Sequence, residues 1–332
     1  MLRSSLWRNV TARISNRIPP QSPFRRYATQ EHQAHQPRLH PVRILGPTLW
    51  ALAASGSIYL GCAAYEVYQD VQQFKGQVGT VSYNSIDATR QIQGVLRSPA
   101  TARFSVSDIF TTPWARLNSA EAMLVTTGGL NFAAFGLQRL SSSTFMFFAH
   151  VPMYARNFTL LTSMFGHSGY LHIGFNMLAL SSFGPALAAT ATFQSSGAHL
   201  AAFYLTGGLF SSLAHHISCA SPIARMAAGR MSPGLGASGA IYAMVAAYVL
   251  SYPNVKIGIM FVPVPAVPAL WSLVAFETWG TFFGWGGLRL AHAAHLGGLL
   301  LGAGYVHFDG RKRIWQPTRK FAFNVMRRME IV

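Results

Sequence analysis

Seven stretches of this chain approach the ~20 predominantly apolar residues that an α-helix needs to cross a bilayer. Lipid offers a peptide group no hydrogen bond, so such stretches must satisfy their backbone internally, as helices. They run over Ile44–Tyr65, Ser119–Gln138, Gly169–Thr190, Gly197–His216, Leu235–Tyr252, Ile257–Phe283 and Arg289–His307. The sixth carries Pro263, Pro265 and Pro268, which places the start of its helix near Pro265. Only 11% of residues are charged and 51% are hydrophobic, against about 25% charged in soluble domains. The expected fold is an all-α polytopic membrane protein.

The formal net charge is +17. Its basic residues fall in an N-terminal segment and a C-terminal tail, not interleaved with aromatics on a globular face, so no nucleic-acid partner is expected. The lipid bilayer is. Between Met1 and Gln30 stand Arg3, Arg8, Arg13, Arg17, Arg25 and Arg26, several serines and no acid. That composition is expected of a mitochondrial transit peptide, cut after Tyr27. Cys62 and Cys219 form no CxxC pair, and neither a disulfide framework, a metal site nor a cofactor is indicated.

Polar groups at membrane depth are costly and need a reason. Ser238 lies in Gly236-Ala237-Ser238-Gly239-Ala240-Ile241-Tyr242, near the start of the fifth span and after a Pro/Gly-rich loop. A helix N-terminus there leaves backbone N–H groups free beside the hydroxyl. His295, about one turn into the seventh span, is a candidate general base. His292, three residues earlier on a similar face, competes for that role. Tyr242, one turn after Ser238, is placed to pack on an imidazole. His172 and Asn176 share one helix face at i, i+4 and can donate to a developing oxyanion. Each residue alone also fits a packing role: a buried serine, a core aromatic, an interhelical polar clamp. The only carboxylates in the core spans, Glu121 and Glu277, fall in none of these motifs, so a serine–histidine pair without an acid is expected.

Taken in order, the pieces resemble the rhomboid family of intramembrane serine proteases: HxxxN (His172, Asn176), GxSG with a following tyrosine (Gly236, Ser238, Gly239, Tyr242), and AHxxGxxxG (Ala294, His295, Gly298, Gly302). Arg156-Asn157-Phe158-Thr159 is similar to the arginine segment of the family's long first loop, with Ala155 where tryptophan is common. The resemblance implies a six-helix rhomboid core preceded by one extra transmembrane helix (1+6). It implies Ser238 and His295 as catalytic residues and His172, Asn176 and the Ser238 N–H as oxyanion donors. Tyr242, Gly236, Gly239 and His167 support them. The extra span and the leader resemble the mitochondrial branch, which implies an inner-membrane location. It also implies transmembrane-anchored protein substrates, such as a dynamin-like GTPase or cytochrome c peroxidase precursor, and a role in mitochondrial morphology.

The expected organisation is a transit peptide (1–27), a polar segment (28–43), the extra helix (44–65), a polar connecting loop (66–118), the six-helix core (119–307) and a basic tail (308–332). Two other readings fit parts of the sequence. One is a catalytically silent rhomboid-like protein that binds membrane helices. The other is a small-solute transporter using His172, Asn176 and His295 as a relay. That would call for internal repeats, and no convincing repeat is present.

Overall fold

The structure, a computed structural model, describes residues 42–75, 82–88, 117–154, 156–220, 232–259, 262–284 and 291–332. The transit peptide and most of the polar N-terminal segment and connecting loop lie outside them. Eight longer helices carry the fold: α1 (Leu45–Lys75), α2 (Ser119–Leu137), α3 (Tyr170–Ala188), α4 (Gly197–Ala220), α5 (Ser238–Ser251), α6 (Ala266–Phe282), α7 (His292–His307) and α8 (Gln316–Arg328). One of them, α3, is long and apolar enough to cross a membrane by length and composition alone, and α5 is a shorter apolar helix.

Helix α5 is the centre. Nine of its 14 residues are buried, on every face, as expected of a helix enclosed by others. It packs on α7 and α4, and α7 also packs on α4. Small residues permit this closeness. A Cβ at Gly298 would lie 2.1 Å from the Gly239 carbonyl oxygen, and one at Gly302 would lie 2.0 Å from that of Ala243. The GxxxG of α7 is therefore the surface on which α5 rests. Helix α2 opens with a capping box: Asn118 Oδ1 accepts from the N–H groups of Ala120 and Glu121, and the Asn118 N–H donates to Glu121 Oε2 at 2.8 Å. One of the two core carboxylates is thus a capping group.

Helix α6 starts at Ala266, directly after Pro265, as the three prolines lead one to expect. Before it, Lys256–Ile259 and Val262–Pro265 pair as two antiparallel strands, with Ile257 opposite Val264. Other boundaries differ from the expected ones. Helix α4 runs on to Ala220. The extra helix does not stop at Tyr65 but continues to Lys75, into the expected connecting loop, where residues 83–88 are also helical.

The basic tail is likewise structured, and the reason is an ion cluster. Arg319 on α8 is fully buried and reaches Asp70 at 2.6 Å, Asp87 at 2.9 Å and Glu66 at 3.1 Å. Glu66 also accepts a hydrogen bond from the Ser196 hydroxyl. Trp315 stacks on His199 at 4.4 Å, and Arg311 donates to Gln194 Oε1 at 2.6 Å. The tail is thereby clamped to α1 and to the start of α4. Removing one partner of a buried ion pair costs about 3–5 kcal/mol, because the other charge stays buried. Arg319→Ala takes away the cation that three carboxylates share and is expected to destabilise the protein by that order, with Arg319→Lys intermediate. Thermal unfolding in detergent micelles checks this; an unchanged midpoint for Arg319→Ala would show that the cluster is not a clamp.

Candidate active site

Ser238 is the first residue of α5, and His295 lies in the first turn of α7. Close packing of the two helices brings Ser238 Oγ to 2.7 Å from His295 Nε2. Tyr242, one turn along α5, stacks on the His295 ring with centroids 4.3 Å apart and planes 12° from parallel. The ring cannot turn without losing that contact.

The loop before Ser238 is held by the long segment between α2 and α3. His150 and Gly234 exchange two backbone hydrogen bonds, each 2.9 Å, and the Gly236 N–H donates to the Ser163 carbonyl at 2.9 Å. Gly236 is required twice over. Its φ of +129° lies where side chains are strained, and a Cβ there would come within 2.9 Å of the His172 ring. Gly239 meets the side chain of Ser211, to which a Cβ would approach within 2.4 Å.

His172 Nδ1 accepts from the backbone N–H of Ser168 at 3.2 Å and faces the Ser168 hydroxyl at 3.0 Å. A backbone N–H can only donate, so Nδ1 carries the lone pair and the proton of the neutral ring sits on Nε2. That N–H is on the side of the ring that faces Gly236, beside Ser238. His167 backs His172 edge to face at 5.0 Å. Its own backbone N–H is held by Gln138 Oε1 at 2.8 Å. Burial, and then the neighbouring His172, push the His167 imidazole down to about 4. Asn176 lies one turn below His172 and donates through Nδ2 to the His172 carbonyl at 2.7 Å. One of its amide hydrogens is therefore engaged within its own helix. A small cleft beside Ser238 has His150, Ser211, Ser212 and His215 among its lining residues, polar partners that a water needs.

The structure corrects two expectations. His292 does not compete for the serine: its Nδ1 lies 2.6 Å from Glu277 Oε2. Nor does the serine–histidine pair stand without an acid, because His295 Nδ1 lies 2.9 Å from Glu277 Oε1. The Glu277 side chain is fully buried. The available signal was its presence, a single ionisable group in an otherwise apolar span.

These positions define a serine–histidine site at the N-terminal ends of two packed apolar helices. Residues 154–312, which include every candidate site residue, match the rhomboid domain. The chain thus carries a rhomboid domain. Its relatives include proteins of the mitochondrial, presenilin-associated rhomboid-like branch. It is 34% identical over 168 residues to Presenilin-associated rhomboid-like protein A, mitochondrial, of Danio rerio, covering 49% of this chain and 40% of the relative. It is 34% identical over 160 residues to Presenilin-associated rhomboid-like protein, mitochondrial, of Homo sapiens, covering 47% and 39%. Against Rhomboid protein 1, mitochondrial, of Saccharomyces cerevisiae it is 32% identical over 185 residues, covering 53% and 50%. The chain thus spans about two-fifths to half the length of these relatives.

Proposed function

We propose that this protein is an intramembrane serine endopeptidase of a mitochondrial membrane. The observation that carries the reading is the 2.7 Å contact between Ser238 Oγ and His295 Nε2, made between helices too apolar to need it for solubility. In this reading Ser238 attacks the scissile carbonyl while His295 takes its proton and then delivers it to the leaving amine. The oxyanion forms beside the His172 Nε2–H and the free N–H groups at the start of α5. Asn176 supplies its remaining amide hydrogen. Water from the cleft beside Ser211 and His215 then hydrolyses the acyl-enzyme.

Helix length supports a recessed site. Fourteen residues at 1.5 Å each make α5 about 21 Å long, short of the ~30 Å hydrocarbon layer. A helix seated at the far surface would leave Ser238 roughly 9 Å below the near one, reachable by water through the polar loop. Large apolar side chains are exposed on the outer helices, including Leu49 and Leu52 on α1, Leu171 and Phe175 on α3, and Trp271 and Trp279 on α6. Large apolar side chains this exposed on several helices call for an apolar surrounding, which supports a multi-pass arrangement of one helix plus six.

The relatives' names favour mitochondria, and the inner membrane is the proposed location. The substrates we propose are proteins anchored by a single transmembrane helix, a dynamin-like GTPase and cytochrome c peroxidase precursors among them, with consequences for mitochondrial morphology. A helix must unwind before its peptide bonds can be attacked, so small or helix-breaking residues should favour cleavage.

A serine-directed phosphonate carrying a fluorophore tests the reading on the detergent-solubilised full chain. Wild type is expected to label covalently. Ser238→Ala is expected not to label, and His295→Ala to label at least about 100-fold more slowly, the scale of a lost general base. Labelling of Ser238→Ala at the wild-type rate would end the proposal.

A further inference from the structure

Glu277 is a carboxylate with no exposed surface, placed on an apolar helix where an uncompensated charge is costly. Both of its oxygens are used by α7, and the Tyr242 hydroxyl on α5 also bonds to the carboxylate. Oε1 lies 2.9 Å from His295 Nδ1 and Oε2 lies 2.6 Å from His292 Nδ1. The two histidines stand at i and i+3, so one carboxylate on α6 faces two imidazoles on one turn of α7. Helix α6 is shaped for this. A Cβ at Gly280 would fall 2.4 Å from His292 Cγ and Nδ1, so glycine makes room for that ring. Phe276 packs edge-on against it at 5.5 Å. Among the described residues, the buried Nε2 of His292 has no hydrogen-bond partner. The carboxylate is what the ring is held against.

We infer that Glu277 is the positioning residue of the Ser238–His295 pair, and that His292 fixes the carboxylate in the orientation that serves His295. The inference rests on the protease reading above and adds a member to its site. A carboxylate only accepts, so it draws the His295 proton to Nδ1 and leaves the Nε2 lone pair toward Ser238 Oγ, as a base requires. When Ser238 attacks, its proton moves to Nε2. The resulting imidazolium is then paired with a carboxylate already in place, in surroundings of low polarity. The proton returns from Nε2 to the leaving amine, and Glu277 gains and loses none. His292 occupies the second oxygen, so the carboxylate cannot rotate its first away from His295.

An interhelical clamp with no part in catalysis would use the same contacts, and the test separates the two. The full chain in detergent micelles is given a reporter with one transmembrane helix carrying a fluorophore and a central Gly-Ser break. Rates are taken per molecule of monodisperse protein. Glu277→Gln keeps the shape and removes the charge. Glu277→Asp keeps the charge and shortens the reach. A positioning carboxylate predicts kcat down by about 100-fold or more for Gln, KM within about 3-fold, and Asp recovering to within about 10-fold of wild type. His292→Phe leaves the carboxylate with His295 and Tyr242 and removes the imidazole at its second oxygen, with kcat expected to fall about 10-fold. A clamp predicts the reverse order, with isosteric Gln the better substitute and full kcat in whatever protein folds. Either that order, or Gln and Phe variants turning over like wild type, would overturn the inference while wild-type cleavage keeps the protease reading intact. Should Gln fail to fold, the Asp and Phe variants decide. A folded wild type that neither cleaves the reporter nor labels with phosphonate would remove both.

Discussion

Ser238→Ala is expected to leave the protein folded and membrane-inserted and to lower cleavage by roughly six orders of magnitude, the scale seen when a serine protease loses its nucleophile. Ser238 has little structural work that alanine could not do. Its hydroxyl bonds to His295 Nε2 and, as the first residue of α5, it is not the capping position, which belongs to Ala237. Losing one such bond costs about 1 kcal/mol. The check pairs reporter cleavage with thermal unfolding and protease protection of the same sample. A folded Ser238→Ala that processes the reporter normally would mean that the nucleophile lies elsewhere.

The second large effect is expected at Gly298, which touches no substrate. Its α-carbon faces the Gly239 carbonyl so closely that an added Cβ would sit 2.1 Å from that oxygen and 2.9 Å from Ser211 Oγ. Backbone cannot yield as a side-chain tip does, so Gly298→Ala must push α7 away from α5 by about 1 Å to restore a normal C···O contact. His295 rides on α7 and Ser238 on α5. A displacement of that size in a catalytic pair costs about 100-fold in rate, and the lost helix packing adds a fall in stability. Gly304 is the internal control: on the same helix, a Cβ there would meet nothing nearer than Phe308 at 4.0 Å. Gly304→Ala should cleave like wild type and be no less stable, since alanine favours the helix by up to about 1 kcal/mol. Phosphonate labelling rates and unfolding midpoints of the two variants decide the matter, and a Gly298→Ala protein that labels at the wild-type rate would refute the packing account.

Much of the site was legible because its residues come in local patterns. Gly236, Ser238, Gly239 and Tyr242 lie within seven positions, and one helical turn separates the serine from the tyrosine that packs on its base. His172 and Asn176 repeat that spacing. Gly298 and Gly302 announced a close helix contact, and Gly239 and Ala243 proved to be what they meet. Nothing local marked the rest. Arg319 finds its carboxylates 232 to 253 positions away, at Asp87, Asp70 and Glu66, so the tail and the connecting segment each read as loose and polar. Helix α1 outruns its apolar stretch for the same reason: Glu66 and Asp70 can stay helical and buried once a distant arginine neutralises them.

The order of the spans, the nucleophile and the glycines that allow close approach follow from the sequence alone, because apolar length and small-residue spacing act over a few turns of one helix. The sequence also favours His295 over His292, because His295 lies deeper in its span and directly precedes the glycines of α7. It does not show what turns either ring. Only the packing of α5 on one side and α6 on the other turns His295 Nε2 to the serine and both Nδ1 atoms to Glu277. Hydrogen bonds act over about 3 Å, and which groups come that close is settled by how helices distant in the chain are stacked.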